Sequence, residues 1–127
     1  MKQAVAAADY VVLAIPGSKE NENTINGDVL GSMKKGAVLV NVARGVLIDE
    51  PALIAAVKSG HLYGAALDVV KGEPVKPDNP LLAESRILVT PHIAGSTDLM
   101  LKGTEKYLTE VLAQYRDGVT FAGTCEI

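Results

Sequence analysis

Four residues carry most of the chemistry this sequence can offer. Arg44, in Asn41-Val-Ala-Arg-Gly45, presents a planar guanidinium fork that can hold a carboxylate through two parallel hydrogen bonds. His92, in Thr90-Pro-His-Ile-Ala-Gly95, can exchange a proton near neutral pH. Glu73, fixed before Pro74, can orient such a histidine and support its charge, and Asp68 closes an apolar run, where it can bind an amide ligand or cap a strand. Taken singly, each residue type serves structure more often than chemistry: a solvated arginine, a structural histidine, a surface glutamate. His61, after Gly60 at the end of a helical segment, reads as structural.

The elements that must position these residues change that balance. Four short apolar runs stand out: Tyr10-Val-Val-Leu-Ala-Ile15, Ala37-Val-Leu-Val-Asn-Val42, Gly64-Ala-Ala-Leu-Asp-Val69 and Ile87-Leu-Val-Thr90. They are apolar at successive positions, as parallel strands covered by helices on both faces are, so an open α/β sheet is expected. Ligands of such sheets bind beyond the carboxyl ends of the strands. Pro16-Gly17 follows the first run, Ala43-Arg44-Gly45 the second, Asp68 and then Glu73 the third, and Thr90-Pro91-His92 ends the fourth. One arginine, two carboxylates and one histidine are thereby expected along a single rim.

Helical punctuation separates the runs. Asp49 is a good N-cap, Pro51 fits a first turn, Ala52, Leu53, Ala56 and Val57 recur at helical spacing, and Gly60 supplies a left-handed stop. A shorter helix is expected over Gly27 to Met33. The longest opens at Ser96 or Thr97 and runs to about Arg116, with Tyr107, Leu108, Val111, Leu112 and Tyr115 on one stripe. Lys71 to Arg86, with Pro74, Pro77 and Pro80, reads as a long irregular connection, and the tail from Gly118 to Ile127 as loosely held.

The 127 residues, 48% hydrophobic and 21% charged, suit one soluble globular domain. A net charge of −3 gives no cationic field for nucleic acid or an anionic membrane, and no apolar run approaches the roughly 20 residues of a membrane span. The N-terminal residues do not read as a signal peptide. The single cysteine, Cys125, cannot form an internal disulfide, which fits a reducing cytoplasm. No metal-ligand set is assigned.

Taken together, Asn41-Val-Ala-Arg-Gly-Val-Leu-Ile-Asp-Glu50, Gly64-Ala-Ala-Leu-Asp-Val69, Glu73-Pro74 and Thr90-Pro-His-Ile-Ala-Gly-Ser96 closely resemble the NAD-dependent D-2-hydroxyacid dehydrogenases. That family includes phosphoglycerate dehydrogenase and the glyoxylate and hydroxypyruvate reductases. The resemblance runs from about Ala8 to the final helix. It implies the C-terminal half of a Rossmann-like, doubly wound parallel sheet with a long C-terminal helix. Arg44 then corresponds to the arginine that binds the substrate's carboxylate and keto oxygen, His92 to the general acid and base, and Glu73 to its acidic partner. Asp68 and the backbone near Val42 correspond to groups contacting the nicotinamide carboxamide, and Pro16 to a residue packed against the adenosine portion. NAD is the family's default cofactor, NADP the alternative, and a small 2-hydroxy or 2-keto acid the substrate.

The sequence does not contain the family's glycine-rich phosphate turn: no two of its twelve glycines stand two apart. Residues 1–127 therefore read as a single partial NAD(P)-binding domain without the N-terminal glycine-rich half and without a substrate domain, expected to bind NADH weakly and to be inactive by itself. A second reading is a non-catalytic oligomerisation or interaction module that keeps the same fold. A homo-oligomer, most simply a two-fold dimer, is expected through the unblunted strand Tyr10 to Ile15, the final helix, or both.

Overall fold

The computed structural model describes residues 1–119, so expectations for Cys125 and for most of the tail from Gly118 lie outside the described residues. The chain divides into two compact units, the first spanning Met1–Ile93 and the second beginning at Ala94. In the first, a one-turn helix α1 (Lys2–Val5) leads to β1 (Tyr10–Leu13), α2 (Gly27–Ser32), β2 (Val38–Asn41), α3 (Glu50–Lys58), β3 (Gly64–Leu67) and β4 (Ile87–Val89). Single 3₁₀ turns occupy Gly45–Leu47 and Pro80–Ala83. The second unit contains α4 (Asp98–Arg116), capped by the Thr97 side chain, which accepts from the Met100 N–H.

The four strands form one parallel sheet in the order β1-β2-β3-β4. Each is one or two residues shorter than its apolar run, because the last residues of each run turn out of the ladder toward the rim. Local chemistry fixes the crossovers. The Asn26 side chain accepts from the N–H groups of Asp28 and Val29 to start α2, and Asp49 accepts from Ala52 to start α3, with Pro51 in the first turn. Gly60, at φ +73°, lets the chain reverse after α3.

Burial alternates across the sheet although the sequence does not. One row contains Leu39, Ala65 and Ile87, and the next row on the same face contains Leu13, Asn41 and Leu67; all are buried. They share one core with Val29 and Leu30 of α2 and Leu53 and Val57 of α3. On the other face, the row Val12, Val40, Ala66 and Leu88 is partly open, with Val12 58% and Leu88 62% exposed. The first face holds the sheet on its helices, and burial of each large aliphatic side chain there contributes about 1.5–3 kcal/mol. No helix among the described residues is long and apolar enough to cross a membrane.

Candidate active site

The rim is assembled from three turns, each held by a side chain that accepts backbone N–H groups. At the end of β2, Asn41 is fully buried; its Oδ1 accepts from the Ala43 N–H at 3.0 Å and its Nδ2 donates to the Arg44 carbonyl at 2.9 Å. This amide clamp folds Ala43 under and leaves Arg44 exposed, where its guanidinium donates to the Ala43 carbonyl at 2.6 Å. The next residue must be small. A Cβ on Gly45 would lie 2.1 Å from the carbonyl carbon of Val70, so the turn after β2 packs directly on the backbone of the loop after β3.

At the end of β3, Asp68 is 6% exposed, and its Oδ1 accepts from the Thr90 hydroxyl at 2.5 Å and from the Ile93 N–H at 3.0 Å. Its carbonyl accepts from the His92 N–H at 2.9 Å. Asp68 thus staples the chain that leaves β4. His92 sits at φ +56°, in the left-handed region that non-glycine residues seldom adopt, and the Asp68 bonds on both sides of it hold that turn.

Glu73 completes the group. Its Oε1 accepts from the Val70 N–H at 2.9 Å, and its Oε2 lies 2.6 Å from Nδ1 of His92. Desolvation pushes the Glu73 carboxyl up, but the His92 and Val70 hydrogen bonds and the histidine's charge outweigh it and hold the pKa below the usual 4.5. With Nδ1–H donating to Glu73, the ring nitrogen available for proton exchange is Nε2.

The structure therefore brings Arg44, Glu73 and His92 onto one cavity of about 500 Å³, together with Gly17, Glu22 and Lys71. A second hollow of about 410 Å³ lies at the ends of β1 and β2, lined by Pro16, Val42 and Arg44 among others. Asp68 lines a third, of about 520 Å³, together with Glu73 and His92. Chemically, the first cavity offers a carboxylate anchor and a carboxylate-supported acid and base on facing turns. His61 stands apart, its Nε2 3.1 Å from the Leu30 carbonyl, in a structural position.

Two residues of the site were not singled out by sequence: Asn41 and Glu50. Asn41 is a polar residue inside an apolar run, and a buried amide there is a legible sign of a clamped turn. Glu50 gives no such sign.

Residues 1–94 match the family described as D-isomer specific 2-hydroxyacid dehydrogenase, NAD binding domain. The chain belongs to that family. Among relatives of this dehydrogenase family, the D-3-phosphoglycerate dehydrogenase of Archaeoglobus fulgidus is 44% identical over 93 residues, covering 73% of this chain and 18% of its own length. The glyoxylate/hydroxypyruvate reductase B of Cronobacter sakazakii is 39% identical over 93 residues, covering 73% of this chain and 29% of its own. Among solved structures, a D-isomer specific 2-hydroxyacid dehydrogenase of Xanthobacter autotrophicus Py2, in complex with NADPH and MES, superposes with a TM-score of 0.84 at 33% identity. That match covers 98% of this chain and 51% of the other. The chain thus spans less than a third of these two curated relatives.

The family is NAD-binding, and the rim fits part of such a cofactor. Gly17 lies so close under Arg44 that a Cβ would meet its side chain at 2.7 Å, and both residues line the hollow between the β1 and β2 ends. Pro16 and Val42 offer surface there to a flat ring. The sequence holds no glycine-rich turn to grip a pyrophosphate. Among the described residues, no group of three His, Cys, Asp or Glu could hold a metal ion.

Proposed function

We propose that this chain carries the substrate-facing part of an NAD-dependent D-2-hydroxyacid dehydrogenase, for reversible hydride transfer between NAD(H) and a small 2-hydroxy or 2-keto acid. The observation that carries the reading is the joint placement of Arg44, Glu73 and His92 on one cavity, with Glu73 Oε2 2.6 Å from His92 Nδ1. Arg44 holds the substrate carboxylate and keto oxygen through its fork. His92 gives a proton from Nε2 to the keto oxygen during reduction and takes it back during oxidation, while Glu73 fixes the orientation of the ring through Nδ1. Pro16, Val42 and Asp68 are the residues of this chain assigned to the cofactor. When bound, a nicotinamide cofactor supplies or accepts the hydride at C2.

The Gly-x-Gly-x-x-Gly element is not among these residues, so the 127-residue chain by itself is expected to bind NADH weakly and to turn over neither glyoxylate nor hydroxypyruvate. The reading is tested in a hybrid in which residues 1–94 replace the matching segment of the Cronobacter reductase. The hybrid should oxidise NADH with hydroxypyruvate. Arg44→Ala should raise KM by about 10- to 100-fold, as loss of a charged hydrogen-bonding partner does. A hybrid that folds and lacks turnover, or an Arg44→Ala variant with an unchanged KM, would overturn the reading.

Self-association is the second element of the proposal. β1 ends the sheet order, and Tyr10 and Val12 are 71% and 58% exposed on it, with no Lys or Pro in the strand to blunt pairing. A two-fold dimer through this edge follows, in a soluble protein of the reducing cytoplasm.

A further inference from the structure

The peptide plane joining Val70 to Lys71 is pinned from two sides. On one, Gly45 abuts it so closely that a Cβ would lie 2.1 Å from the Val70 carbonyl carbon and 2.6 Å from the Lys71 nitrogen. On the other, the Lys71 N–H donates to Glu50 Oε1 at 2.7 Å. The neighbouring N–H, of Val70, donates to Glu73 Oε1. Two consecutive backbone donors are thus each held by a carboxylate, one from α3 and one from the loop itself. The Lys71 side chain adds a third tie, donating to Asn23 Oδ1 at 2.6 Å.

We propose that Glu50 is a positioning residue for the Glu73–His92 pair, holding through the Lys71 N–H the loop from which Glu73 reaches the histidine. The proposal rests on the reading of His92 as the proton-transfer group. Glu50 is the first residue of α3, where an acid commonly serves the helix dipole. Its carboxylate instead reaches a donor 21 residues along the chain. It does so from a rigid base: Asp49 caps the helix, and Leu53 and Val57, one and two turns on, are fully buried. The loop between Val70 and Glu73 has no helix or strand of its own, and Gly72 turns it through the left-handed region at φ +71°, so side-chain ties have to hold it. Releasing Lys71 leaves a partly buried N–H without its acceptor and lets the 70–71 peptide rotate away from Gly45. The Val70 N–H that holds Glu73 Oε1 then shifts with it. Displacement of a supporting group by about 1 Å is enough to spoil an acid–base pair.

The test uses the 127-residue chain with ¹⁵N-labelled histidine, and reads the tautomer of neutral His92 from its ring nitrogen shifts. Contact with Glu73 favours the Nδ1–H form in the wild type. Glu50→Ala should lower the Nδ1–H fraction about twofold or more, as expected when the partner that sets the tautomer is no longer held. Glu50→Gln, which keeps an oxygen acceptor at the same reach, should restore the wild-type ratio. Glu50→Asp keeps the charge and the helix-terminal acid but is one methylene shorter, so it should behave as Glu50→Ala does. In a Glu73→Gln background, Glu50→Ala should change nothing further. The His61 ring, held by the Leu30 carbonyl, serves as an internal check that the fold is intact. A folded Glu50→Ala chain with the wild-type His92 ratio, or full rescue by Glu50→Asp, would overturn the proposal; if Glu50→Ala does not fold, Glu50→Asp against Glu50→Gln decides it. No arm depends on turnover, so failure here and failure of the dehydrogenase reading are separate results.

Discussion

The carboxyl ends of β2, β3 and β4 and the outer edge of β1 belong to one sheet, yet they treat their polar groups in opposite ways. At the rim, Asn41, Asp68, Glu73 and Glu50 each accept a backbone N–H from a turn that carries a candidate functional side chain. At the β1 edge, Tyr10 and Val12 are exposed and, among the described residues, the strand pairs on one side only, with β2. The difference shows that the arrangement of Arg44, Glu73 and His92 is built from within residues 41–93. The β1 side has, among the described residues, an exposed strand edge open to further pairing.

Substitutions at the rim should therefore cost far more than equivalent ones at the edge. The largest effect is expected at Gly45, where a Cβ has no space against Val70. Gly45→Ala should destabilise the chain by about 3 kcal/mol in urea unfolding, and it should lengthen the Glu73–His92 contact. A midpoint within experimental error of wild type would break the comparison. Asn41→Ala comes next: it removes the partners of a buried N–H and a carbonyl, at a cost of about 2 kcal/mol.

At the edge the readout is association instead. Val12→Lys should leave unfolding within about 0.5 kcal/mol of wild type, as exposed substitutions usually do. Sedimentation across a dilution series should show the wild-type dimer giving way to monomer in the variant, and a wild-type monomer at micromolar concentration would remove the proposed interface.

The smallest effect is electrostatic. Glu73 has its pKa lowered in the folded chain, so its contribution is fully present above the unfolded value of 4.5 and is lost as pH falls through the lower folded value. The stability difference between wild type and Glu73→Gln should be small at pH 6, on the order of a few tenths of a kcal/mol since the pair is partly solvated, and should shrink as pH falls below 4.5 and through the lowered folded value.

Much of this arrangement was legible in the sequence. The parallel sheet followed from four runs apolar at successive positions, and the rim from the polar residues that close each run. Asp49 and Thr97 announced their helices because a short polar side chain before a periodic segment has one obvious use. The alternation of burial was not legible, because Val12, Val40, Ala66 and Leu88 are as apolar as the row that is buried. Nor was the left-handed backbone of His92, which no glycine marks, or the reach of Glu50, whose partner is a backbone N–H and so leaves no trace in residue type. Sequence placed Asp68 between a ligand contact and a strand cap. Its bonds to Thr90 and Ile93 give it a stapling role that sits beside the proposed cofactor contact.

The proposed role of His92, supported by Glu73, is to move the proton in a dehydrogenase reaction. It is tested most directly by the rate of NADH oxidation with saturating hydroxypyruvate in the hybrid carrying residues 1–94, with and without His92→Ala. A fall in kcat of about 10²- to 10⁴-fold is expected, the usual size of a lost acid–base group, with a smaller change in KM. An unchanged kcat in a folded His92→Ala hybrid would contradict it.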